Sequence, residues 1–296
     1  MKTLAAESAV VATIKMKKAV VIYNRNSGRK EAAKALKDVR RFLSSCFEQL
    51  QITEINDIAT VDFNNFDTVI IIGGDGTINK CLPFLDGKQT GIIPCGTANL
   101  LAARLGIFNT KSAITAIKNE KTKEINICTV NNKPFILRCG TGYDSNIICH
   151  TPQKMKNLFG YFSYVIAGML FALRLKKKKY TLKTNNQNIE ADASCIIIAN
   201  APNMYKNLFK IGNSKLDEAL FDVFILKTEN SLAFFIEFLK ILCGIRKNSQ
   251  IADYFKTEEI TLKASFIHFH CDGEKSASDD ELDFKFSTKK LKIFTP

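Results

Sequence analysis

Thr68-Val69-Ile70-Ile71-Ile72-Gly73-Gly74-Asp75-Gly76-Thr77 decides how this chain is read. The aliphatic and β-branched run has no polar alternation, so it predicts a short strand buried on both faces. Glycines at 73, 74 and 76 let the backbone turn sharply and approach an anion closely. A helix is predicted over Ile78 to Leu85, which puts Thr77 near its N-terminus, where a hydroxyl and unpaired backbone N–H groups suit a phosphate. Asp75 adds a carboxylate able to hold a metal-bound phosphate or polarise a hydroxyl. Alone, such a loop also fits an ordinary tight turn.

Two further junctions of the same kind flank it. Downstream, Gly91-Ile92-Ile93-Pro94-Cys95-Gly96-Thr97-Ala98-Asn99 opens into a helical stretch from Leu100 to Leu105 that Gly106 stops. Upstream, Lys18 to Tyr23 runs into Asn24-Arg25-Asn26-Ser27-Gly28, then into a helix with Ala32, Ala33, Leu36, Val39, Arg40 and Leu43 at helical spacing. These are three strand, polar loop, helix units. In an open parallel α/β sheet the loops at the carboxyl ends of the strands line one crevice, and the ligand that such loops share is a nucleotide.

The set Asn24-x-Asn26-Ser27-Gly28, Gly73 to Thr77 with Asn79, Pro94-x-Gly96-Thr97-x-Asn99, Gly140-x-Gly142-Tyr143-Asp144 and Asp272-Gly273-Glu274 resembles the diacylglycerol kinase catalytic family. That family also holds bacterial lipid kinases, sphingosine kinases and ceramide kinases. The resemblance runs from about residue 18 to the C-terminus, and five ordered motifs are far more specific than one. It implies a doubly wound α/β nucleotide-binding domain, a second antiparallel β-sandwich domain, and an active-site cleft between them. It also implies transfer of the γ-phosphoryl of ATP to a lipid hydroxyl, with Mg2+, the acceptor being a lipid such as diacylglycerol or a sphingoid base.

By the same resemblance the nucleotide falls to Asn24, Asn26, Ser27, Gly28, Gly73, Gly74, Asp75, Gly76, Thr77, Ile78, Asn79, Gly96, Thr97 and Asn99. Thr60, read as ending a strand near Ile55 to Ala59, matches a further nucleotide-contacting threonine. Asp272 or Glu274 takes the hydroxyl proton, and Asp75 and Asp144 belong to a magnesium and water network. A structural magnesium is implied on the loop Lys215 to Leu220, through Glu218 and the carbonyls of Lys215 and Leu220. The chain departs from the family pattern at Lys80, at Leu100 and at Glu218-Ala219, where a Glu, an Asp and an Asp-Gly pair are usual. The first two departures support a rival reading, a catalytically weak lipid-binding or regulatory protein. A second rival is an NAD kinase, which also uses a Gly-Gly-Asp-Gly-Thr loop and a β-rich second domain.

Composition fits a globular enzyme of two domains: 296 residues, 46% hydrophobic and 24% charged. Residues 1–17 read as an extension without a signal-peptide layout, 18–128 as the α/β domain, and 129–296 as the β-rich lipid-substrate domain, whose last residues can return to the first. Past residue 125 short strands are predicted at Ile125 to Val130, Phe135 to Cys139, Tyr180 to Thr184, Cys195 to Asn200, Phe221 to Leu226, Ile260 to Leu262, Phe266 to Cys271 and Leu282 to Ser287, with a helix over Ser231 to Cys243.

The nine cysteines show no C-x-x-C pair and sit mostly in apolar runs, so buried free thiols in a reducing cytoplasm are expected. His268 and His270, two apart, are expected on a strand surface, with a metal as the weaker reading. The net charge of +13 asks for an anionic partner. Lys176-Lys177-Lys178-Lys179 follows the apolar stretch Tyr161 to Leu175, too short to span a bilayer, which fits peripheral contact with an anionic membrane or an ordinary core helix ending in lysines. No nucleic-acid-binding signature is present, and an exposed edge strand offers a route to a homodimer.

Overall fold

The computed structural model describes residues 16–150, 175–201, 203–204, 209–210, 212–245, 248–277 and 279–296. Residues 1–15 of the expected extension and most of the apolar stretch Tyr161 to Leu175 lie outside these.

The first domain is built on four parallel strands, β1 (Met16–Tyr23), β2 (Phe47–Glu54), β3 (Thr68–Gly73) and β4 (Gln89–Pro94), in the order β2-β1-β3-β4. Every residue of β3 is buried, as its unbroken apolar run requires of a strand between two neighbours. Between them run α1 (Glu31–Cys46), α2 (Asp75–Cys81), α3 (Leu100–Arg104) and α4 (Thr110–Asn119). Helix α1 buries Ala32, Ala35, Val39 and Leu43, one stripe at helical spacing, against the sheet. The strand order reverses at β1, so the crevice opens between the carboxyl ends of β1 and β3, where Tyr23 pairs with Ile72 and Gly73 with Pro94. The three glycine-bearing loops therefore end at one level.

The rest of the chain is mainly antiparallel. It comprises β5 (Thr122–Val130), β6 (Lys133–Phe135), β7 (Arg138–Gly142), β8 (Lys178–Thr184), β9 (Asn188–Ala193), β10 (Cys195–Ala199), β11 (Asn203–Met204), β12 (Phe209–Lys210) and β13 (Phe221–Leu226). It continues with β14 (Ala252–Thr257), β15 (Ile260–Ile267), β16 (Phe269–Cys271), β17 (Glu274–Lys275) and β18 (Asp279–Phe294), and includes the helices α5 (Tyr143–His150) and α6 (Ser231–Leu242). One sandwich sheet has the order β14-β13-β10-β7-β16-β17. It packs on strands of the larger sheet through a core that includes Phe135, Phe221 and Phe284, with Phe135 edge-on to Phe284. Strand β18 joins the two domains: its end pairs parallel to β4, its whole length pairs with β5, and its beginning pairs with β15.

Several expectations give way here. The strand foreseen over Phe135 to Cys139 is two strands, β6 and β7, because Ile136 to Arg138 turn to offer their N–H groups to Asp272. Ile55–Thr60 is a 3-10 helix, not a strand, and the Thr60 hydroxyl donates to the Asp57 carbonyl at 2.8 Å. The strand foreseen over Phe266 to Cys271 is interrupted, since Phe266 lies in the left-handed region at φ 57°. His268 is exposed and His270 is fully buried, so they do not share a strand surface. The lysine run does not cap a helix in the described residues: Leu175 is buried, Lys176 and Lys177 are exposed, and Lys178 begins β8.

Nor are all the thiols free. Cys139 and Cys271, separated by 132 residues in sequence, sit directly opposite each other on β7 and β16 and form a disulfide. Strand pairing supplies this proximity, which no local spacing rule detects. Titration of thiols in denaturant without reductant is expected to count seven, nine less the bonded two, and nine after reduction. Nine before reduction would show that the bond does not form in the protein as made.

Candidate active site

Residues from the first domain interlock at the head of the crevice. Asn24 Nδ2 donates to Thr77 Oγ1 at 3.2 Å, and Asn24 Oδ1 accepts from Asn26 N at 3.1 Å. Ser27 Oγ donates to the Cys95 carbonyl at 3.3 Å, and Gly28, at φ +57°, presses so closely on that carbonyl that a Cβ would strike it. Gly74 and Gly96 meet backbone to backbone: a Cβ on Gly74 would lie 2.8 Å from Gly96 Cα, and one on Gly96 2.5 Å from Gly74 Cα. Glycine is needed there for close approach, independently of backbone angle. Asn99, left-handed at φ 49°, closes its loop on itself, accepting from Gly96 N at 2.7 Å and donating to Gly96 O at 2.8 Å. Thr97 is exposed at the loop tip.

Asp75 joins the two glycine loops. Its carboxyl oxygens accept from Leu100 N at 2.9 Å and Leu101 N at 3.1 Å, so the carboxylate satisfies the first orphan amides of α3. Burial pushes the Asp75 carboxyl above its ordinary pKa, against the lowering by those amides. With this carboxylate turned to α3, the absent Asp at Leu100 is replaced by a backbone N–H that the retained Asp75 engages.

The second domain faces this loop with the turn Asp272-Gly273 between β16 and β17. Asp272 stands at φ 49° and Gly273 at φ +86°, a conformation that suits a glycine at the second position. The Asp272 carboxylate accepts three backbone amides, Ile136 N at 2.8 Å on Oδ2, and Leu137 N at 2.8 Å and Arg138 N at 2.9 Å on Oδ1. Its own N–H donates to the Arg138 carbonyl at 2.9 Å. Burial pushes its pKa up to about 6, opposed by the three amides and reinforced by nearby Asp75. Asp272, Asp75, Ile78, Asn79, Leu101, Ile136 and Leu137 line one small cavity between the domains. Glu274 is exposed beside Gly76, whose added Cβ would lie 3.0 Å from Glu274 Oε1.

The magnesium positions fare differently. Asp144 is buried and accepts from Arg138 Nη1 at 3.1 and 3.3 Å, with His270 Nε2 at 2.8 Å. Burial alone would raise its carboxyl, but the Arg138 guanidinium and His270 outweigh this and hold it well below the carboxylate range. On the Lys215 to Leu220 loop, Glu218 Oε2 accepts from Lys215 N at 3.2 Å and Oε1 lies 3.5 Å from Lys215 Nζ, while the Lys215 carbonyl accepts from Glu218 N at 3.1 Å. Glu218 and the Lys215 carbonyl are thus spent on each other, and the expected metal through Glu218, Lys215 and Leu220 does not fit this donor set. Among the described residues no group of three or more His, Cys, Asp or Glu side chains is arranged to hold a metal.

Thr60 contributes its hydroxyl to its own 3-10 helix and not to the crevice. Arg138, His270 and the amides of Ile136 and Leu137 were not read from the sequence as site residues. The signal available was the pairing of an arginine with Asp144 six residues on, which only the β7 to α5 turn brings together.

Comparison with known proteins agrees with this geometry. The diacylglycerol kinase catalytic domain matches residues 18–130, and the YegS C-terminal NAD kinase beta sandwich-like domain matches residues 138–294. A diacylglycerol kinase of Bacillus subtilis is 30% identical over 276 residues, 88% of this chain and 90% of that protein. One of Staphylococcus aureus is 26% identical over 226 residues, 72% of each chain. The crystal structure of a diacylglycerol kinase from Bacillus anthracis superposes with a TM-score of 0.71 at 18% identity, covering 94% of this chain and 97% of that one, which establishes the shared two-domain fold. The chain belongs to the diacylglycerol kinase-like family and is an ATP-dependent lipid kinase.

Proposed function

We propose that the cavity between Asp75 and Asp272 is the point of phosphoryl transfer, and that the division at residues 128 and 129 separates a nucleotide-binding half from a lipid-binding half. The observation that carries this reading is the shared lining of that cavity by the glycine loop and the Asp272 turn. The backbone of Gly73 to Asn79 and of Gly96 to Asn99, with Asn24, Asn26, Ser27 and Gly28, holds the ATP phosphates. Asp272 accepts the lipid hydroxyl proton. Its Oδ2 takes a single amide and keeps a lone pair, and its pKa of about 6 leaves it ionised at neutral pH while raising its basicity. Glu274, with no side-chain hydrogen bond or ion pair among the described residues, stands at the mouth, where a carboxylate can meet magnesium carried on the nucleotide.

The acid limb of kcat/KM is expected near pH 6, because protonated Asp272 cannot take a proton. Stability runs the other way. A carboxyl whose folded pKa is raised contributes stability that is present below about 3.9, its unfolded value, and is lost as pH rises through about 6. Opposed trends in turnover and thermal stability across pH 4–7 would both be read on one preparation, and an acid limb absent from wild-type kinetics would remove Asp272 as the base.

The partner surface is the outward face of α6. Leu232, Phe235, Ile236 and Leu239 are exposed at helical spacing, and Ile245 follows them, while Phe234 packs inward edge-on to Tyr143 beside Asp144. Lys177 N donates to Glu229, two residues before α6, so the exposed lysines abut the start of this apolar face. An apolar ladder beside lysines suits a bilayer with anionic headgroups at the inner face of the membrane. Among the described residues no helix is long and apolar enough to cross one.

The deciding experiment is transfer from labelled ATP with magnesium to micellar diacylglycerol, monoacylglycerol, sphingoid base, ceramide and phosphatidylglycerol, with NAD as a separate acceptor. Labelled diacylglycerol or sphingoid base is the expected product. Label in NAD alone, or ATP binding with no transfer to any acceptor, would overturn the assignment of the cavity.

A further inference from the structure

Beneath the turn that carries Asp272 the chain has built an ion cluster of its own. Both oxygens of Asp144 are engaged by Arg138 Nη1, and Oδ2 also by His270 Nε2 at 2.8 Å. An ionised carboxylate only accepts, so the His270 proton toward it sits on Nε2. His270 Nδ1 is buried with no hydrogen-bond partner, which leaves Asp144 as the polar anchor of the ring. Gly140 pairs with His270 across β7 and β16, and a Cβ there would strike Asp144 Oδ2 and come within 2.7 Å of His270 Nε2. The space for the cluster exists because residue 140 has no side chain. Arg138 completes the connection, since its backbone N–H and carbonyl both bond Asp272 while its guanidinium bonds Asp144.

We propose that Arg138 is a positioning residue that, with His270, occupies the cation position at Asp144, so that Asp144 binds no divalent ion and the metal used in transfer arrives on the nucleotide. A hard cation needs carboxylate and carbonyl oxygens turned toward it. Here the groups turned toward the Asp144 oxygens are a guanidinium and an imidazole N–H, which compete with a metal for the same lone pairs and, in the case of Arg138, repel it. Arg138 is thereby fixed at both ends: Asp144 sets its side chain, and its backbone sets the orientation of Asp272. The part of this inference that concerns turnover rests on the placement of transfer at Asp272; the metal-binding part does not.

The test begins with electron paramagnetic resonance of Mn2+ added to nucleotide-free protein, wild type against Asp144→Asn. No difference between them up to roughly 1 mM Mn2+ is expected. One ion bound by wild type and lost in Asp144→Asn overturns the proposal, whatever the kinase assay gives. Steady-state kinetics of Arg138→Met are expected to show kcat down roughly 10- to 100-fold with the KM for ATP nearly constant, and Arg138→Lys is expected to recover much of the loss. Unchanged kcat, or a loss confined to KM, overturns the positioning role. Should Arg138→Met fail to fold, His270→Gln reads the same kcat-against-KM split. A wild type that phosphorylates no lipid refutes the functional reading and leaves the manganese comparison intact.

Discussion

Asp272→Asn is expected to lower kcat by roughly 10²- to 10⁴-fold while ATP affinity changes little, the range attributed to a positioned general base. The substitution keeps the shape of the side chain and one acceptor oxygen for Leu137 N and Arg138 N. Its amide group then faces Ile136 N, a donor toward a donor across a contact of 2.8 Å in the native protein. That mismatch costs about 1–3 kcal/mol, partly offset above pH 6 because a buried negative charge near Asp75 is gone. Calorimetric ATP binding and a melting curve separate lost chemistry from lost fold. Glu274→Gln is the comparison, since Glu274 is exposed and held by nothing among the described residues, and its loss is expected to be smaller. Abolished turnover in Glu274→Gln with activity retained in Asp272→Asn would exchange the two roles.

Gly96→Ala should be the most damaging change outside the reacting groups. Its Cβ would lie 2.5 Å from Gly74 Cα and 2.8 Å from Asn99 Oδ1, and the first of these is backbone that cannot swing aside. Overpacking of this kind costs about 1–3 kcal/mol, and the relief available is to part the two loops proposed to hold the phosphates. ATP affinity and melting temperature are therefore expected to fall together. Gly76→Ala provides the contrast, because its Cβ would meet only the tip of Glu274, a flexible side chain, at 3.0 Å. In α2 that substitution is expected to hold or raise stability by about 0.4–1 kcal/mol. Equal melting temperatures for Gly96→Ala and wild type would show that the loops do not need their close approach.

Much of this architecture is legible in the chain because its determinants are local. The apolar run Thr68 to Ile72 must be a central strand, and the glycines behind it must turn, whatever else the protein does. The helix stripe from Ala32 to Leu43 and the strand Phe221–Leu226 follow from the same periodicities. Motif order then identified the family. The errors fall where a local pattern meets a distant partner: Thr60 reads as a strand end but closes a 3-10 helix, and Phe135 to Cys139 reads as one strand but breaks to serve Asp272.

The sequence by itself therefore determined the two-domain plan, the crevice at the ends of β1, β3 and β4, and the phosphate-sized loops, since strand burial and glycine geometry act over a few residues. Only the tertiary structure decided what each charged or sulfur-bearing side chain does. Asp144 finds His270 across 126 residues, Asp272 finds the amides of Ile136 to Arg138 across at least 134, and Cys139 finds Cys271 across 132. A hydrogen bond, an ion pair and a disulfide all depend on separations of a few ångströms, and those separations are set by β7 lying beside β16, a pairing that no short stretch of the chain encodes.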